Sequence, residues 1–113
     1  MPDDIRRYLP LSPQQFHILL ALVDEPRHGY GIILDVAGRT DGGMKLGTGT
    51  LYTALARLVA LELVADTGRE DEHRRYYRLT ALGRSVLAAE AARLDALVRF
   101  ARAKGISPVR SKP

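Results

Sequence analysis

From Thr80 to Lys104 the sequence sustains one helical pattern that the rest of a 113-residue chain is too small to cover. Leu87, Ala91, Leu94, Val98 and Ala101 alternate in steps of four and three, the spacing of a coiled-coil seam. Leu82, Val86, Leu97 and Phe100 add a second apolar strip beside it. Thr80 supplies an N-cap, and Gly105 and Pro108 close the run. One strip can pack near the helix start on whatever domain precedes it. The remainder needs another surface, either more packing within the chain or a twin helix from a second copy. A twin helix is the expectation, because little chain is left to supply the first.

What precedes is three shorter helices and a pair of strands. The first helix opens at LSPQQF, where Ser12 caps and Pro13 takes the first helical position, at which its missing N–H is harmless. Gln15 completes a capping box, and Leu11 and Phe16 stand as a hydrophobic staple. Phe16, Leu19, Leu20 and Val23 form its apolar stripe, widened by Ile18 and Leu22, and Pro26 stops it. A second helix is expected from Gly29 to Arg39, with Tyr30, Ile33, Leu34 and Ala37 on one face. Gly42 and Gly43 then break the chain, and Met44–Lys45–Leu46 reads as a short strand. Thr48 is the expected cap of a third helix that runs out near Leu61. LVADT (Leu63 to Thr67) and RYYRL (Arg75 to Leu79) read as hairpin partners across the polar loop GREDEHR. The two-residue period puts Arg75, Tyr77 and Leu79 on one strand face and Arg74, Tyr76 and Arg78 on the other.

The third helix, in GTLYTALARL, buries Leu51, Leu55 and Leu58 and turns Thr50, Tyr52, Thr53 and Arg57 the other way. A merely solvated face could carry the same residues. Three helices followed by a two-stranded wing, however, is the winged variant of helix-turn-helix, in which the third helix enters the DNA major groove and the hairpin meets the backbone beside it. The fold class expected is therefore mainly α with a small β-hairpin: a winged helix-turn-helix plus a long C-terminal dimerisation helix. Its parts would be an N-terminal segment over 1–10, the DNA-binding domain over 11–79, the dimerisation helix over 80–105 and a flexible tail over 106–113.

On that reading Thr50, Tyr52 and Thr53 offer hydroxyls to phosphate oxygens or base edges, and Arg57 can grip guanine bidentately. The Tyr52 ring is expected to pack on the domain with its hydroxyl facing out. Lys45 and Thr48, around the helix start, are candidate DNA contacts as well. In the wing Glu70, Asp71 and Glu72 would be repelled by phosphates, so the tip is expected to point away and leave Arg74 and Arg75 nearer the duplex. The alternative for this stretch is a solvated hairpin.

Composition removes other classes. With 46% hydrophobic and 27% charged residues the chain has the profile of a soluble globular domain. It has no cysteine, which excludes disulfides, thiolate chemistry and cysteine-based zinc sites. His17, His28 and His73 are too scattered for a metal site and read as structural or surface residues. No nucleophile with a placed base, phosphate-cradling loop or paired carboxylates stands out, so neither a cofactor nor an enzyme is expected. No apolar run approaches the ~18 residues of a membrane span, and MPDDIRRYLP has acids and prolines where a signal peptide needs an apolar run. A cytoplasmic location without a membrane partner is expected. The net charge of +4, gathered at Arg57, Arg69 to Arg78 and from Arg99 onward, leans toward an anionic partner.

HGYGI (His28 to Ile32), GTLYTALARL and RRYYRLTALGR (Arg74 to Arg84) together resemble the landmarks of the PadR-like transcriptional regulators, over roughly Leu11 to Arg84. The short C-terminal region is similar to the compact subgroup with a single helix after the wing. Three positions depart from the usual pattern: Gly31 stands where an acid is more common, Thr53 where a proline often follows the LY pair, and Glu62 where a glycine usually ends the third helix. The resemblance implies a homodimer joined through its C-terminal helices. Its two reading helices would lie about one DNA turn, about 34 Å, apart on a two-fold symmetric operator of double-stranded DNA. A protein this short would act more simply as a repressor than as an activator. Some relatives bind aromatic or drug-like effectors at the dimer interface, which makes Leu97 and Phe100 candidate effector residues; Tyr8 is the candidate for the alternative, a ligand held under the N-terminal segment. The rival reading is a winged helix used for protein–protein contact, without a specific DNA site.

Overall fold

The computed structural model describes residues 3–108. In chain order they form α1 (Asp3–Arg6), α2 (Pro13–Ala21), β1 (Arg27–His28), α3 (Gly29–Arg39), α4 (Thr48–Ala60), β2 (Val64–Asp71), β3 (Arg74–Leu79) and α5 (Ala81–Ala103). The helices are mainly short and surround one core, with a three-stranded antiparallel sheet of order β1-β3-β2 on its flank. No helix among the described residues is long and apolar enough to cross a membrane. Residues 109–113, the larger part of the expected flexible tail, lie outside the described residues.

Local signals set most helix ends. The Ser12 hydroxyl accepts from the Gln15 N–H at 3.1 Å, and the Gln15 side chain accepts from the Ser12 N–H at 3.1 Å, so the capping box forms as read. α2 ends at Ala21, before Pro26 is reached. α3 has the expected limits and is capped by His28, whose Nδ1 accepts from the Gly31 N–H at 3.0 Å. Its buried face, however, is Gly29, Ile32 and Val36, while Tyr30 and Leu34 are exposed. Apolar residues occur nearly all round this helix, so the 3.6-residue period alone leaves two faces open; packing against α2 and α4 selects between them.

α4 is the expected third helix. Gly47, not Thr48, is its N-cap, and no side chain caps it; Thr48 is the first helical residue. Its end explains how the chain turns with Glu62 where glycine is usual. Glu62 itself adopts the left-handed conformation, φ 63°. The Glu62 N–H bonds to the Val59 carbonyl and the Leu63 N–H to the Leu58 carbonyl, a Schellman closure. The Thr80 hydroxyl donates to the Glu62 carbonyl at 2.7 Å and pins the corner to the start of α5.

The sheet differs from expectation in two respects. Met44 to Leu46 form no strand; they lead irregularly into α4, with Leu46 buried. The third strand is instead Arg27–His28, paired with Tyr77 and Tyr76 along the outer edge of β3. Two residues carry no periodicity, so only the partner defines this strand. The GREDEHR stretch is also mostly strand: Glu70 pairs with Arg75 and Asp71 with Arg74, leaving Glu72 and His73, at φ 51° and 65°, as a two-residue turn.

α5 begins as read, with the Thr80 hydroxyl accepting from the Gly83 N–H at 2.9 Å. Gly105, at φ 83°, ends it in a second Schellman closure, with the Ile106 N–H on the Ala101 carbonyl. Gly83 has a steric role as well: a Cβ there would lie 2.0 Å from the Leu63 carbonyl oxygen. The core gathers Ile18 and Leu19 of α2, Ile32 and Val36 of α3, Leu51, Leu55 and Leu58 of α4, then Leu63, Val64 and Val86. One charged side chain among the described residues is buried with them, Glu90, at 1% exposure. Its carboxylate accepts from the Leu11 N–H at 2.7 Å and pairs with Arg93. The Arg93 guanidinium first, and then the Leu11 N–H, hold this carboxyl below the usual glutamate range against the opposing effect of burial.

Candidate nucleic-acid interface

The leucines of α4 anchor it from behind, and this leaves Thr48, Thr50, Thr53 and Arg57 exposed on its outer side, with Lys45 exposed just ahead of it. Among the described residues neither Arg57 nor Lys45 takes part in an ion pair, whereas Arg27, Arg39, Arg69, Arg75, Arg93 and Arg99 all do. Thr50, Thr53, Ala54 and Arg57 line an open groove of about 550 Å³ together with Ser12, Gln14 and Gln15 at the start of α2. Among the described residues no carboxylate lines it. A surface of hydroxyls, amides and one uncompensated guanidinium is suited to an anionic, hydrogen-bonding partner. The sequence alone does not point to Gln14 and Gln15, because there the stretch is fully accounted for as a helix start.

Tyr52 is placed differently from expectation. The residue is 46% exposed, but its hydroxyl turns toward the domain: a Cβ at Gly29 would lie 2.5 Å from Tyr52 Oη. Gly29 is thus required for α3 to pass under the phenol. The hydroxyl turns inward because the start of α3 offers a glycine-sized recess beside Leu51. Tyr77, on β3, borders the same region. Its phenol is raised above the ordinary range by burial first, then by Asp66 and Tyr52, with Arg75 opposing.

The wing separates two arginines that the sequence treats alike. Arg75 Nη1 donates to Asp66 Oδ2 at 2.9 Å, so its charge is already matched inside the hairpin. Arg69 lies over the Tyr76 ring, 3.9 Å from its centroid, and 3.6 Å from Asp71. Among the described residues Arg74 has no carboxylate partner; it stands at the wing base, 3.2 Å from His28 Nε2 and 5.7 Å from the centre of the Tyr30 ring.

The expected α5 seam divides in two. Leu87 is buried in the core of its own chain. Ala91 is exposed and Ala101 half-buried, while Leu94, Leu97, Val98 and Phe100 stay 37%, 50%, 36% and 67% exposed. Tyr8 lines a cleft of about 500 Å³ with Arg7, Ala60, Leu61 and Glu62. Leu97 and Phe100 do not line that cleft, so it does not bring the three candidate effector residues together.

Residues 18–89, which include α3, α4, the wing and the first part of α5, match the model of the transcriptional regulator PadR-like family. The chain belongs to that family. PadR-like proteins are transcription regulators and not enzymes. A transcriptional regulator from Clostridium thermocellum is similar in structure, with a TM-score of 0.71 at 25% identity, over 90% of this chain and 95% of that one. A PadR-like transcription factor from Bacteroides fragilis has a TM-score of 0.71 at 26% identity, over 88% of this chain and 97% of that one. An uncharacterised 37.1 kDa protein in a transposon of Streptomyces fradiae is 44% identical over 77 residues, which is 68% of this chain and 21% of that protein. The chain thus spans about a fifth of that relative's length.

Proposed function

We propose that this PadR-like chain is a sequence-specific DNA-binding transcriptional regulator, acting in the cytoplasm as a homodimeric repressor on a two-fold symmetric operator. The observation that carries the reading is the outer side of α4: exposed Thr48, Thr50 and Thr53 and, among the described residues, an Arg57 without a carboxylate partner and an adjoining groove free of acids. Arg57 and the threonines read base edges and phosphates, Lys45 and Arg74 hold the flanking backbone, and Arg75 acts mainly within the wing. The apolar residues left uncovered on the C-terminal half of α5, above all Leu94 and Val98, meet their counterparts in a second copy. Such a dimer sets two α4 helices about 34 Å apart. A small aromatic effector seated near Leu97 and Phe100, or under Tyr8, would change that spacing and so shift the population able to bind DNA.

The test is a salt titration of duplex binding. Several phosphate contacts make log K fall with log[salt] by about 0.9 per contact. A steep slope supports the regulator; a flat one, or no binding to duplex, supports a winged helix used for protein contact instead.

A further inference from the structure

His28 and Arg74 meet in an arrangement that a neutral imidazole cannot satisfy by itself. The Gly31 N–H donates to His28 Nδ1 at 3.0 Å, as the N-cap of α3, so Nδ1 must present its lone pair. The ring proton of the neutral side chain then sits on Nε2. Arg74 Nη1 lies 3.2 Å from that same Nε2, and a guanidinium has no lone pair to offer. Two N–H groups therefore converge with no acceptor between them. Neither is held elsewhere by a carboxylate: Arg74 makes no ion pair among the described residues, and its other close neighbour is the exposed Tyr30 ring. Tyr76, edge-on to the imidazole with ring centres 5.2 Å apart, fixes the ring from the strand side.

We infer that His28 Nε2–H and the Arg74 guanidinium form a two-pronged site for one backbone phosphate of duplex DNA, at the junction of α3 and the wing. A phosphate oxygen placed between them accepts from both and turns a donor–donor contact into two charge-assisted hydrogen bonds. Location favours a DNA phosphate over a free one. Tyr52, half-exposed on α4, lies over Gly29, the residue next to His28: a Cβ at Gly29 would stand 2.5 Å from its hydroxyl, which places the pair beside α4. The N-terminal end of the 11-residue α3 adds positive potential in the same place. This assignment rests on the DNA-binding reading above and adds to it a role for His28 that the sequence does not suggest.

The first experiment needs no DNA. Long-range nitrogen–proton NMR of the free protein should report the Nε2–H tautomer for His28; an Nδ1–H tautomer would let Nε2 accept from Arg74 and would overturn the site. The second measures duplex affinity of the full chain. His28→Asn keeps a short capping acceptor for the Gly31 N–H and removes the distant donor. It should weaken binding on the order of tenfold, equally on operator and random sequence, with unchanged thermal stability. Arg74→Ala should reduce the salt slope by about 0.9. The double variant should lose less than the product of the two, because both act on one phosphate. If His28→Asn binds duplex like the parent while Arg57→Ala does not, the site falls and the DNA reading stands. If inorganic phosphate perturbs the His28 resonances but His28→Asn leaves duplex binding intact, the site holds a free anion and the assignment to DNA fails. If the parent chain itself shows no salt-dependent duplex binding, the underlying reading falls first.

Discussion

Removing Glu90 tests whether one buried carboxylate ties the long C-terminal helix to the start of α2. In Glu90→Ala the Leu11 N–H, now bonded at 2.7 Å, loses its acceptor in a site that is 1% exposed. A buried donor left unsatisfied costs about 1–3 kcal/mol, and loss of the buried stem adds roughly 1 kcal/mol. Arg93 adds little, because at 36% exposure its guanidinium can rehydrate. The expected total is about 2–4 kcal/mol. Glu90→Gln retains a neutral acceptor and should lose only about 1–2 kcal/mol, the charged part of the bond. The pH dependence separates charge from shape. The Glu90 carboxyl is held below the usual range in the folded chain, so its contribution is complete above the unfolded value near ~4.3 and is lost as pH falls through the lower folded value. Urea unfolding followed by far-UV circular dichroism at pH 7 and near pH 3, at one protein concentration, should show the parent losing its advantage over Glu90→Gln on acidification. A Glu90→Ala variant within ~0.5 kcal/mol of the parent, or a parent-to-Gln gap that does not shrink in acid, would refute the reasoning.

Gly83→Ala places a methyl 2.0 Å from the Leu63 carbonyl oxygen. Its helix-propensity gain of about 1 kcal/mol should be outweighed by overpacking, giving net destabilisation above about 2 kcal/mol in the same unfolding assay. Glu62→Gly relieves a left-handed backbone at φ 63° and should raise stability by about 0.5–1 kcal/mol in that assay. Leu94→Glu, on the uncovered part of α5, should leave the circular dichroism unchanged and give a mass near the 12.5 kDa monomer by light scattering. A mass near twice that value would move the dimer contact elsewhere.

Helix boundaries were the most legible part of the chain, because they depend on residues adjacent in sequence: the Ser12–Gln15 box, the Thr80 cap and the Gly105 stop all form from their own neighbours. What needed a distant partner was not legible. β1 is two residues long and exists because β3 lies beside it. Glu90 reads as an ordinary polar helix position until Leu11 arrives from 79 residues away. The wing strands hide in a charged run because both of their faces near the tip are exposed, so alternation of burial is lost. On the candidate site, the outward positions of Thr50, Thr53 and Arg57 follow from the leucine period of α4. The difference between Arg74 and Arg75 does not, since only tertiary structure brings Asp66 to one and His28 to the other.

The most direct test of the reading face is the affinity of Arg57→Ala for an operator selected from random duplexes, compared with its affinity for unselected duplex. A base-reading guanidinium predicts a loss of about 1–3 kcal/mol on the operator, roughly ten- to a hundredfold, with a much smaller change on unselected DNA. Equal losses on both would reduce Arg57 to a phosphate contact, and no loss on the operator would contradict the assignment of the outer side of α4 as the surface that reads DNA.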